Sequence, residues 1–102
     1  MSIKIQGHLR YVRTYRDLDP GLQMKVNIVL DAIKKGDRGD YIKNKPYPRR
    51  YTKDGAKNLY RYPISDYRLI YTVVGTKSLK IYLILDFLTH KEYDVLFGYH
   101  TS

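Results

Sequence analysis

Leu59-Tyr60-Arg61-Tyr62-Pro63-Ile64-Ser65-Asp66-Tyr67-Arg68-Leu69-Ile70-Tyr71 is the stretch on which the reading of this chain turns. Tyrosines and aliphatic residues on both sides favour strand, and Ser65-Asp66 between them suits a tight turn. Side chains alternate across a strand, so Leu59, Arg61 and Pro63 share one face, as do Arg68, Ile70 and Thr72. Two arginines emerging on the open face of paired strands would make a fork for phosphate oxygens, which guanidinium groups match in bidentate geometry. The competing reading makes each a solvated strand residue paired with Asp66, Asp86 or Glu92, an exposed contact worth about 0–1 kcal/mol.

Working outward, Gly75-Thr76-Lys77-Ser78 predicts a second turn, and the run 79–87 predicts the most apolar strand. Leu79, Ile81, Leu83, Leu85 and Phe87 fall on one face of it, with Lys80, Tyr82, Ile84 and Asp86 on the other. That is a β-meander with one buried side. Residues 3–5 alternate and predict a short first strand. From 8 to 18, Leu9, Val12, Tyr15 and Leu18 are spaced three apart and mark a helical face. Asp19-Pro20 then reads as N-cap and first helical residue, with Leu22, Val26, Val29, Leu30 and Ile33 lining a helix that ends at Gly36. A short final helix is expected over 90–97. The fold class is therefore α+β, an N-terminal helical hairpin packed on a small antiparallel β-sheet, with residues 1–102 forming a single domain.

The bulk composition agrees. A chain of 102 residues, 43% hydrophobic and 28% charged, suits one modest core rather than a disordered segment. No apolar run approaches the roughly 18 residues of a membrane helix, and the first residues lack a signal-peptide core. Without cysteine there is neither a disulfide nor a thiolate metal site, and no other metal-ligand cluster or phosphate-binding glycine loop is recognisable. A cytoplasmic protein with no cofactor is the expectation. Lys and Arg total 19 against 10 Asp and Glu, a net charge of +9, which attracts polyanions, nucleic acid first. An acidic protein partner is compatible with the same charge. Lipid binding would call for a basic amphipathic helix with bulky anchors, which the chain lacks.

Residues 35–58 differ in kind, with Gly36, Gly39, Pro46, Pro48 and Gly55 and little apolar periodicity, so a long loop is expected. It carries Lys43, Lys45, Arg49, Arg50, Lys53 and Lys57 interleaved with Tyr41, Tyr47 and Tyr51. Such a loop can track a nucleic-acid backbone while Tyr47 or Tyr51 stacks on a base, or can simply be solvated. His90 follows the apolar strand, where a sheet can present an imidazole to a cleft for proton transfer; otherwise it borders the last helix. His8 has no comparable setting, and His100 is expected to fray.

The order helix, helix, basic loop and meander, with Tyr60-Arg61-Tyr62 and Asp66-Tyr67-Arg68-Leu69-Ile70-Tyr71, resembles the RelE/ParE toxins of type II toxin–antitoxin systems. Thr89-His90 after the apolar strand is similar to one branch of the RelE-like ribonucleases. RelE itself usually has an arginine just after the last strand, where His90-Lys91 stands here. The resemblance implies an endoribonuclease that enters the ribosomal A site and cuts mRNA without a metal, held silent by a cognate antitoxin. In that chemistry the ribose 2′-hydroxyl attacks the adjacent phosphate. By position the resemblance makes Arg68 the substrate-facing arginine, Arg61 its basic neighbour and His90 a general acid or base. Tyr93 would orient the substrate or stack on a base, and Lys53 and Lys57 would contact phosphate. Two rival functions stay open: a ParE-like gyrase poison that performs no hydrolysis, and a basic RNA-binding module without catalysis.

Overall fold

A computed structural model describes residues 2–98, so His100 lies outside the described residues. Strand β1 (Ser2–Gly7) comes first, followed by helices α1 (Leu9–Arg16) and α2 (Pro20–Lys34). Asp19 caps α2 as its sequence predicts, its carboxylate accepting from the Leu22 amide at 3.0 Å. Strand β2 (Asp40–Tyr41) and the short helix α3 (Arg49–Lys53) precede the meander β3 (Tyr60–Ile64), β4 (Tyr67–Gly75) and β5 (Leu79–Thr89). Helix α4 (His90–Leu96) follows without a break.

The strands form one five-stranded sheet in the order β1-β5-β4-β3-β2. The meander is antiparallel, but β1 pairs parallel to β5 from Ser2 opposite Leu79 to Gly7 opposite Ile84. Two expectations are thereby corrected. The sheet is mixed rather than antiparallel, and the helical hairpin is not N-terminal, since the strand expected over 3–5 precedes it as β1 and joins the sheet. The physical reason is that α1 and α2 carry the chain from β1 to β2 at the far edge, and the three antiparallel pairings from β2 to β5 bring it back so that β5 lies beside β1 in parallel.

The sheet is also covered on both faces, not one. On the first face, Tyr11, Val26 and Ile33 of the two helices pack with Leu69, Tyr71, Tyr82, Ile84 and Phe87. On the second, Ile42, Tyr47, Tyr51 and Ala56 of the segment expected to be loop, with Tyr93 of α4, cover Leu59, Ile70, Leu85 and Leu88. The helices thus lie over Tyr82 and Ile84, the face of β5 expected to be open, whereas Leu83 and Leu85 face the other way. A bulge explains the mixed pattern beyond that point. Ile70 opposes Asp86 and Tyr71 opposes Ile84, so Leu85 has no partner across β4, and Phe87 returns to the helix side. In α1 the buried residue is Tyr11, while Leu9, expected on the apolar stripe, is exposed.

Asp86, 4% exposed, holds these layers together. It accepts from Arg10 of α1 at 3.2 Å and from Arg50 of α3 at 3.3 Å. Arg10 also reaches Asp54 at 2.8 Å. Among the described residues no helix is long and apolar enough to cross a membrane.

Candidate functional site

The turn at Ser65-Asp66, with Ser65 at φ 53°, closes β3 on β4 so that Arg61 opposes Ile70 and Pro63 opposes Arg68. Both arginines therefore project from the second face, beyond the end of its apolar core. At the same end β5 gives way to α4. Thr89 caps that helix by accepting from the Glu92 amide at 3.1 Å, while Glu92 accepts from the Thr89 amide at 2.9 Å. The His90 amide donates to the Asp66 carbonyl at 2.7 Å, which fixes the start of α4 against the β3–β4 turn.

These elements enclose an open cleft of about 450 Å³ lined by Asp40, Arg61, Pro63, Arg68, His90, Tyr93 and Asp94. Four residues singled out from sequence, Arg61, Arg68, His90 and Tyr93, thus share one hollow. Their contacts are specific. Arg61 donates to the Tyr93 hydroxyl at 2.9 Å, lies 5.5 Å from the centre of that ring, and sits 3.6 Å from Asp40. Arg68 donates to the Tyr67 carbonyl at 3.0 Å and lies 3.0 Å from Nδ1 of His90. On the far side of the ring, Nε2 is 3.2 Å from the Asp94 carboxylate.

The donors and acceptors settle the tautomer. A guanidinium has no acceptor, so Nδ1 of His90 must offer its lone pair to Arg68, which leaves the ring proton on Nε2, the nitrogen 3.2 Å from the Asp94 carboxylate. Of the competing reading of the arginines, Arg61 keeps a carboxylate neighbour, Asp40 at 3.6 Å, while Arg68 contacts a carbonyl and an imidazole. A phosphate entering the cleft meets two guanidinium groups, a tyrosine hydroxyl and an imidazole. Among the described residues no group of three or more His, Asp or Glu is placed to hold a metal ion.

Two site residues escaped sequence reasoning. Asp94 could have been found, because His90 and Asp94 are four apart in an expected helix and so share a face. Asp40 gave no signal, since a two-residue strand has no periodicity to read.

The basic residues from Lys43 to Lys57 do not line the cleft. Lys43, Lys45, Arg49, Lys53 and Lys57 are exposed on the segment that covers the second core. Lys45 lies 5.4 Å over the Tyr47 ring, and Arg50 is tied to Asp86. Tyr47 and Tyr51 cannot stack on bases, being 7% and 0% exposed. The Tyr47 hydroxyl donates to the Ile42 carbonyl at 2.7 Å, and burial pushes the Tyr51 hydroxyl well above the ordinary phenol range. These rings anchor the segment, while its cations remain at the surface. His8, outside the cleft, caps α1 through Nδ1.

No protein-family model matches the chain, and no curated protein sequence matches it. Among solved structures, a chain of the archaeal RelE–RelB complex from Pyrococcus horikoshii OT3 is similar over 87% of this chain and 96% of that one. The TM-score is 0.61 at 22% sequence identity. That likeness shows a RelE-like fold.

Proposed function

We propose that this RelE-like chain is the toxin of a type II toxin–antitoxin system and cuts mRNA in the ribosomal A site. The observation that supports it best is the convergence of Arg61, Arg68 and His90 on one open cleft, with Arg68 and His90 3.0 Å apart. Cleavage by the neighbouring 2′-hydroxyl needs a group to move a proton and cations to stabilise the charge growing on phosphate. Arg61 and Arg68 take the phosphate oxygens, His90 moves the proton, and Tyr93, buried apart from its hydroxyl contact with Arg61, holds that guanidinium in place. The exposed cations from Lys43 to Lys57 draw the protein to the RNA backbone. The solved relative comes from a two-protein complex, which favours an antitoxin partner here too, of an acidic kind given the net charge of +9.

Inducible expression in a bacterial host tests this, with mRNA 5′ ends mapped for wild type, Arg68→Ala and His90→Ala. Growth arrest with new ends inside translated codons, lost in both variants, is the expected result. Arrest without cleavage and insensitive to His90→Ala would indicate a gyrase poison instead. Soluble protein without arrest would leave an RNA-binding module.

A further inference from the structure

We infer that Asp94 is a positioning residue and that Arg68 masks His90 until substrate arrives. The inference rests on the nuclease reading for its chemistry, but the clamp itself stands on geometry. His90 is held on both ring nitrogens at once, by Arg68 at 3.0 Å on Nδ1 and by Asp94 at 3.2 Å on Nε2. The two partners demand the same tautomer, because one can only donate and the other, ionised, only accepts. Asp94 is fixed for the task. It sits one helical turn beyond His90 on the same face of α4, and its side chain is 12% exposed against 54% for His90. A carboxylate that orients an imidazole and keeps its free nitrogen pointing at the reacting group is a recurrent solution in proton-transfer sites.

The Arg68 contact has the opposite sense. In the free protein it occupies the very lone pair that a base must use. Among the described residues Arg68 has no carboxylate partner, so an entering phosphate outcompetes a neutral imidazole for its guanidinium. Transfer of Arg68 from Nδ1 to the phosphate then does two things in one movement. It neutralises the group under attack, and it opens Nδ1 to the 2′-hydroxyl. The 2′-oxygen bonds to phosphorus as its proton passes to Nδ1, leaving an imidazolium whose Nε2 side faces the Asp94 carboxylate 3.2 Å away. The bond from phosphorus to the 5′-oxygen breaks, and that oxygen takes a proton relayed from the imidazolium through water, which regenerates the base with no net proton consumed. His90 is idle without a phosphate and competent with one.

The imidazole tautomer is directly readable by nitrogen NMR of the histidine ring, well above the ordinary imidazole pKa and with no ribosome present. Wild type should show a fixed Nε2–H tautomer, and inorganic phosphate should move the Nδ1 resonance as Arg68 lets go. Asp94→Ala should leave a mixture of tautomers and lower the cleavage rate on programmed ribosomes by roughly tenfold to a hundredfold, with little change in binding. Asp94→Asn keeps the shape and an accepting oxygen, so it should recover part of both losses; a purely structural Asp94 would not couple them. An unchanged tautomer and rate in Asp94→Ala would overturn the inference, as would a wild-type Nδ1 resonance that ignores phosphate while binding it. If Asp94→Ala does not fold, the inference stands or falls on the wild-type tautomer and its phosphate response. A fixed tautomer and a phosphate response in a wild type that cleaves no RNA would uphold the clamp and refute the nuclease reading.

Discussion

Arg68 and His90 show what a single residue contributes when its neighbours leave it one arrangement, and the buried tyrosines show the same for stability. Tyr11 is 7% exposed beneath α1, and burial raises its hydroxyl from 10.0 to about 12, with the Tyr15 ring adding a smaller push. The folded state thus holds a proton that the unfolded state releases first. Its contribution to stability is complete below pH 10.0 and is lost as pH rises through about 12, on the order of 2–3 kcal/mol. Thermal melts across the alkaline range should therefore fall steeply, and Tyr11→Phe should flatten that fall while leaving the melting temperature at neutral pH nearly unchanged. At this scale the sequence was informative about cations and silent about their counter-charges. Strand alternation placed Arg61 with Leu59 and Pro63, and Arg68 with Ile70 and Thr72, because a two-fold period survives any tertiary arrangement of a hairpin; the register of β3 on β4 then puts both on one face. It said nothing of Asp40, which arrives from a separate strand, or of which aspartate Arg61 would choose.

Among the elements, α4 carries the most chemistry for its size. Seven residues are too few for a helix to persist alone, so its capping box and its docking through Tyr93 hold it. Thr89→Ala removes the acceptor for the Glu92 amide and should cost about 1 kcal/mol. Because His90, Tyr93 and Asp94 all ride on this helix, cleavage should fall further than the loss of stability alone explains; melting and cleavage measured on the same preparation check the split. The start of α2 was legible, since Asp19-Pro20 is a local signal that needs no tertiary context, and Thr89-His90-Lys91-Glu92 offers one of the same kind for α4. The second core was not. Ile42, Tyr47, Tyr51 and Ala56 are spaced irregularly, and a segment buried without a repeating period reads as loop. Nor could alternation reveal the bulge at Leu85, which exchanges the faces of β5 partway along its length.

For the molecule as a whole, the net charge of +9 becomes an arrangement: a sheet buried on both sides, a cleft at one end, and cations spread over the covering segment. Replacing Lys43, Lys45, Arg49, Lys53 and Lys57 with glutamine should weaken single-stranded RNA binding and lower its salt dependence by roughly 0.7 in the log–log slope for each phosphate no longer neutralised. Arg50→Gln should behave differently, lowering the melting temperature because it strips a partner from buried Asp86. Binding measured over a salt series, beside thermal melts, separates the two classes. The basic balance was plain from composition, but its division between structural and surface cations required knowing that Asp86 is buried. The most direct test of the central claim is the end chemistry of mRNA cut by the purified protein on programmed ribosomes. Attack by the 2′-hydroxyl should leave 2′,3′-cyclic phosphate and 5′-hydroxyl ends, absent with His90→Ala; intact mRNA, or 3′-hydroxyl and 5′-phosphate ends, would contradict it.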